Sequence, residues 1–248
     1  MTLPDAPTSK WLKSAVSALV ARRDPALAGA DIEALRQWLA QHPPARPVQA
    51  RWQDARIEQE IPDGASVLDL GCGHGKLLHR LIREKKVRGQ GVEIDLAAVA
   101  RCLAIGVPVF QINLDEGLRE FRTRSFDYVV LEETVQTLRQ PRRVLEDMLR
   151  VGHYGIVSFP NFGYWRVRLA LAIEGRMPVT PALPHRWYDT PNIHLFTLQD
   201  FLDWAQESGA RIVRGYSLVE GVVRPLGPDD NLEAEESLLI ITREAPSP

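Results

Sequence analysis

The sequence predicts an α/β fold: a doubly wound, mostly parallel sheet of seven strands, preceded by an N-terminal helical extension. Three observations predict it. Short apolar runs alternate with amphipathic helical segments, the pattern of strands crossed over by helices. The first run, Val67-Leu68-Asp69-Leu70, is followed at once by Gly71, Gly73 and Gly75, as where a buried strand turns sharply into a helix. The 248 residues are 45% hydrophobic, enough for one large core and an appendage.

The extension comes first. Residues 11–22 place Leu12, Val16, Leu19 and Val20 on one helical face, and residues 31–41 do the same with Ile32, Leu35 and Leu39, with Asp31 as a cap. His42-Pro43-Pro44-Ala45-Arg46-Pro47 reads as a stiff, extended linker. These features divide the chain into an extension, residues 1–48, and a main domain, residues 49–248. Two short amphipathic helices cannot bury their faces alone. Packing on the chain's own domain is the expected solution, with a second copy or a partner as the alternatives.

From about Trp52 strands are expected over residues 66–70, 89–93, 107–112, 126–131, 155–159, 211–218 and 237–242. The helices between them carry local signals. Leu77, Leu78, Leu81 and Ile82 share a face after the glycine turn. Leu96, Val99, Ala100 and Leu103 repeat at helical spacing and stop at Gly106. Pro141 opens a helix that ends at Gly152, and Thr197 with Asp200 resembles a capping box, with Gly209 closing that helix. No helix separates the last two strands, so the final strand has room to run antiparallel; residues 219–236 read as a polar connection.

Composition narrows the function. A formal net charge of −2 gives no reason to expect nucleic-acid or membrane-surface binding. No run of about 18 apolar residues is present. The start of the chain shows no signal-peptide pattern, and two cysteines, Cys72 and Cys102, are too few for a disulfide scaffold or zinc cluster. A cytoplasmic protein without a metal site is expected. Cys72 reads as a small residue suited to a tight turn.

The glycine turn reads as a nucleotide-cofactor site. A dinucleotide site wants G-x-G-x-x-G, with pyrophosphate on the helix N-terminus. This chain has G-x-G-x-G, with Asp69 two residues before the first glycine. A carboxylate there repels pyrophosphate and suits a cation, such as the ammonium or sulfonium of S-adenosylmethionine. Gln90-Gly91-Val92 forms a second strand ending in Glu93, placed to accept both ribose hydroxyls. A nicotinamide-dependent enzyme is disfavoured by Asp69 and the shortened glycine spacing.

VLDLGCGHG, GVEID and FDYVV together resemble class I S-adenosylmethionine-dependent methyltransferases. The longer set RGQGVEID, ARCLAIGVPVFQINLDEGL, EDMLRVG, SFPNFGYWRVRL, GRMPV and YDTPNIHLFT resembles the methionine-biosynthesis MetW family over about residues 57–218. The resemblance implies one reversed strand, and a cofactor across the C-terminal strand ends. It implies that Asp69, Gly71 and Gly73 wrap the methionine end of S-adenosylmethionine, that Glu93 holds the ribose with Ile94 against the adenine, and that Cys72, Gly75, Asn113 and Leu114 are also among the cofactor-binding residues. Asn113 stands where many methyltransferases have aspartate, with Asp115 two residues on. Glu132 and Glu133 stand where similar proteins commonly have smaller or neutral residues. Two acids at a cofactor mouth would favour a cation, or be ordinary solvated loop charges. The resemblance also implies a protein partner, the homoserine O-acyltransferase of methionine biosynthesis, which the protein would assist or regulate. The alternative is a methyltransferase acting on an unidentified small-molecule acceptor.

Methyl transfer needs alignment above all, so a catalytic residue need not be conspicuous. Residues 160–196 are rich in rings and arginines, among them Tyr164, Trp165, Arg166, Trp187 and Tyr188. They suit a lid and acceptor pocket, with His194 as the candidate general base. Equally, residues 164–174 read as a helix whose aromatics are core and whose arginines are solvated.

Overall fold

The computed structural model describes residues 32–42 and 51–243. The helix expected over residues 11–22, the cap Asp31 and the proline-rich stretch 43–47 lie outside them. The elements run α1 (Ile32–Gln41), α2 (Trp52–Glu60), β1 (Ser66–Leu70), α3 (Lys76–Lys85), β2 (Arg88–Glu93), α4 (Leu96–Ala104), β3 (Val109–Gln111), β4 (Phe126–Glu132), α5 (Pro141–Val151), β5 (Gly152–Pro160), α6 (Trp165–Leu169), α7 (Leu198–Ser208), β6 (Arg211–Val219), β7 (Val222–Pro225), α8 (Asp230–Glu233) and β8 (Glu236–Thr242).

One sheet holds the strands in the order β3-β2-β1-β4-β5-β8-β6-β7. Neighbours from β3 to β5 pair in parallel, and β8 is inserted antiparallel between β5 and β6. This is the reversed strand that the sequence left room for, although the connection expected to be helix-free carries the single-turn α8. The sheet has eight strands, one more than expected, because part of the connection after β6 folds back as β7. Glu220 and Gly221 between them have φ of 49° and 79°, the left-handed pair that a two-residue type I′ hairpin requires.

Both faces of the sheet are covered, which explains why strands such as β8 are buried along their whole length. Leu68, Leu70, Val129 and Leu131 pack with α5 and α7 on one face. Val67, Val130, Ile156 and Ile240 pack with α2 and α3 on the other. A third, smaller core joins α1 to the segment after β5. Leu35 is buried with Tyr164, Trp165, Val167, Leu169 and Ile173, Trp38 lies 5.9 Å from the Trp165 ring, and Arg36 donates to the Ile173 carbonyl at 3.2 Å. The second extension helix therefore packs on the chain's own domain. The helix read over residues 164–174 is α6, followed by a wider π turn over Ala170–Glu174.

The capping box of α7 forms as read: the Thr197 hydroxyl accepts from the Asp200 N–H while Asp200 accepts from the Thr197 N–H. No helix is long and apolar enough to cross a membrane among the described residues.

Candidate functional site

The strand order reverses between β1 and β4, and ligands of open α/β sheets bind outside the carboxyl ends of strands at such a point. The register brings the ends together, with Leu70 beside Val92, Glu93 beside Gln111, and Glu132 beside Ser158. Two adjoining cavities open there. One, about 190 Å³, is lined by Asp69, Gly71 to His74, Arg51, Lys76, Leu77, Glu132 and Glu133. The other, about 380 Å³, is lined by Val92, Glu93, Ile94, Asn113, Leu114, Asp115, Thr134 and Leu138, with Ile112, Thr137, Gly71 and Glu133 completing it.

The turn after β1 is fixed by its backbone. Gly71 and Cys72 both donate to the Val92 carbonyl, at 2.8 and 3.0 Å, so the loop is pinned to β2 as it leaves the sheet. Gly71 has φ of 74°, and a Cβ there would lie 2.8 Å from the Thr134 hydroxyl. Only glycine supplies both the conformation and the room. Cys72 turns inward, its sulfur 3.9 Å from that of Cys102. Burial and the nearby Asp69 carboxylate push its thiol pKa up, so it is a packing residue and not an activated nucleophile.

Glu93 is held by three backbone donors: Gly73 to Oε2 at 2.8 Å, and Ile94 and Asp95 to Oε1 at 2.7 and 3.0 Å. A carboxylate offers about four lone-pair positions, so this one is oriented with acceptor capacity left. Ile94 is exposed beside it. Asn113 caps the turn after β3, accepting from the Asp115 N–H at 3.1 Å. Asp115 is itself engaged, accepting from the N–H groups of Arg139 and Gln140 at 2.8 and 3.0 Å.

The least expected part of the site comes from α2. Arg51 enters that helix with a left-handed φ of 61° and reaches Glu132 at 3.0 Å and Asp54 at 3.2 Å. Gln53 donates to Glu133 at 3.0 Å and to Glu236 at 2.7 Å. Asp54 is also paired with Arg80 at 2.6 Å. Carboxylates from α2, β1, β4 and β8 thus crowd one buried region. Asp69 is 5% exposed, and burial, reinforced by Asp54, raises its pKa to about 7. Burial and Asp54 also raise Glu132 well above the usual carboxylate range, against the opposing pull of Arg51.

Asp69, Gly71, Cys72, Gly73, Glu93, Ile94, Asn113 and Leu114 all line these two cavities. Gly75 lies just behind the loop as the left-handed residue that starts α3. His194 does not join them. It lines a separate apolar groove of about 200 Å³ with Val135, Leu145, Phe196, Phe201 and Trp204, its N–H donating to the Gln136 carbonyl. Tyr164 and Trp165 are core, whereas Trp187, 75% exposed, and Tyr188 line a further hollow that shares no residue with the two cavities. Arg51, Gln53 and Asp54 were not legible as site residues. Their one local hint is a polar helix with Asp54 and Gln53 among its buried residues, and burial is visible only in the fold.

The family described as methionine biosynthesis protein MetW matches residues 51–233. The chain belongs to the MetW family. A bifunctional methionine biosynthesis protein MetXA/MetW of Rhodopirellula baltica is 33% identical over 199 residues, 76% of this chain and 32% of that protein. The chain therefore spans about a third of that relative's length. A ubiquinone biosynthesis O-methyltransferase of Xanthomonas axonopodis pv. citri is 31% identical over 148 residues, 56% of this chain and 59% of that protein. Among solved structures, an S-adenosylmethionine-dependent methyltransferase of Mesorhizobium loti superposes with a TM-score of 0.58 at 18% identity, covering 78% of this chain and 98% of that one. That likeness establishes the class I methyltransferase fold.

Proposed function

We propose that the two adjoining cavities hold S-adenosylmethionine and that the protein, in complex with homoserine O-acyltransferase, assists or regulates the acyltransferase. The observation that carries the cofactor reading is the Asp69 carboxyl: buried, facing the smaller cavity, and without a hydrogen bond or ion pair among the described residues. A buried carboxyl in that state calls for a donor or a cation. The ammonium of a methionine end supplies one, and the Arg51 guanidinium in the same wall suits its carboxylate. The larger cavity fits the adenosyl half, with Glu93 taking ribose hydroxyl and Ile94, Asn113 and Leu114 around the base.

The partner reading is supported by the MetXA/MetW relative, in which a MetW portion shares a chain with a second methionine biosynthesis protein. Residues 49–248 would form the cofactor-binding domain, with residues 1–48 added to it. Co-purification of the full chain with the acyltransferase, and an acyltransferase rate that changes when the chain is added, tests this role. Neither effect at saturating protein would refute it.

A small-molecule methyltransferase is the second reading, favoured by the ubiquinone O-methyltransferase relative. Transfer of label from methyl-labelled cofactor to a metabolite extract distinguishes the two.

A further inference from the structure

S-adenosylmethionine is an adenosyl half and an aminobutyrate half joined at one atom, the sulfonium sulfur. With the halves in adjoining cavities, that atom falls where the cavities meet. The residues common to both walls are Gly71, which has no side chain, and Glu133. Arg51 and Lys76 line the smaller cavity only. The charged side chain shared by the two is therefore an acid.

Glu133 is held at this junction from several directions. Its backbone takes a left-handed φ of 46°, uncommon outside glycine. Its N–H donates to the Ser158 carbonyl and hydroxyl, both at 3.1 Å. One carboxylate oxygen accepts from Gln53 at 3.0 Å, and no described residue donates to the other. Deeper in the same wall, the unpartnered Asp69 carboxyl faces the cavity.

We infer that Glu133 makes the site selective for charge: it favours the sulfonium of the methyl donor over the neutral thioether of S-adenosylhomocysteine. This rests on the cofactor reading above and extends it to regulation. The two ligands share every group except the methyl group and its positive charge, so a carboxylate at the sulfur is the feature that separates them. A site built this way reports the methyl donor without being masked by the demethylated product, which suits a sensor that controls another enzyme.

Titration calorimetry of the full-length chain with each ligand, repeated for Glu133→Gln and Glu93→Ala, tests it. The wild type should bind S-adenosylmethionine at least about tenfold more tightly than S-adenosylhomocysteine. Glu133→Gln should bring the two affinities within about threefold by weakening the charged ligand alone. Glu93→Ala should lose both, showing that the heat comes from this site. Equal or tighter binding of S-adenosylhomocysteine by the wild type, or equal weakening of both ligands in Glu133→Gln, overturns the selectivity while leaving the cofactor site intact. Failure of the wild type to bind either ligand removes the cofactor reading and the selectivity together.

Discussion

Gln53 clamps Glu133: its Nε2 donates to Glu133 Oε1 at 3.0 Å and to Glu236 Oε2 at 2.7 Å, tying α2 to the ends of β4 and β8. Truncating Gln53 to Ala removes one donor from two carboxylates, and Glu236 is buried. Loss of a hydrogen bond that leaves a buried polar group unsatisfied costs about 1–3 kcal/mol. Urea unfolding of Gln53→Ala should show a loss in that range, with weaker S-adenosylmethionine binding. Unchanged stability and affinity would mean that α2 does not support the site.

Asp69 makes stability depend on pH. Burial raises its pKa from 3.8 to about 7, so the folded chain binds more protons than the unfolded chain between those values. Stability contributed by this group is therefore lost as pH rises from about 4 to about 7. Asp69→Asn should remove that loss, stabilising the ligand-free protein at pH 8 by about 1–4 kcal/mol and raising Tm by several degrees. The same variant should lose cofactor binding. Thermal melts from pH 5 to 8 on both proteins check the sign, and equal slopes would contradict it.

The glycine loop and Glu93 were legible because their signals are local. Alternating glycines after an apolar run and an acid about 20 residues on fix chemistry and spacing within one βαβ unit. The α2 contribution was not legible, since Arg51 and Glu132 meet across 81 residues of sequence, and Gln53 and Glu236 across 183. Strand β7 was obscured for a different reason: four residues, Val222–Pro225, are too few to show a period. His194 is marked in the sequence by its imidazole and its place in the ring-rich segment after β5, and neither signal says which cavity a loop histidine faces.

Gly71→Ala should disturb the loop on two counts, a φ of 74° and a Cβ 2.8 Å from the Thr134 hydroxyl. An alanine forced into a left-handed conformation costs about 1–2 kcal/mol. The expected result is a Tm lower by a few degrees and loss of cofactor binding. Retained binding would place the ligand elsewhere.

The α1 helix is anchored through Leu35, 2% exposed against Tyr164 and Trp165. Leu35→Ala should cost about 2–5 kcal/mol locally and increase the exposure of the Trp165 ring, read by tryptophan fluorescence quenching. Cofactor affinity should be preserved, because this small core lies outside both cavities.

Titration of the purified chain with S-adenosylmethionine tests the cofactor claim most directly. Saturable binding in the micromolar range, abolished by Asp69→Ala and by Glu93→Ala with the fold intact, is the predicted result. No binding at millimolar ligand, or unchanged affinity in either variant, would contradict it.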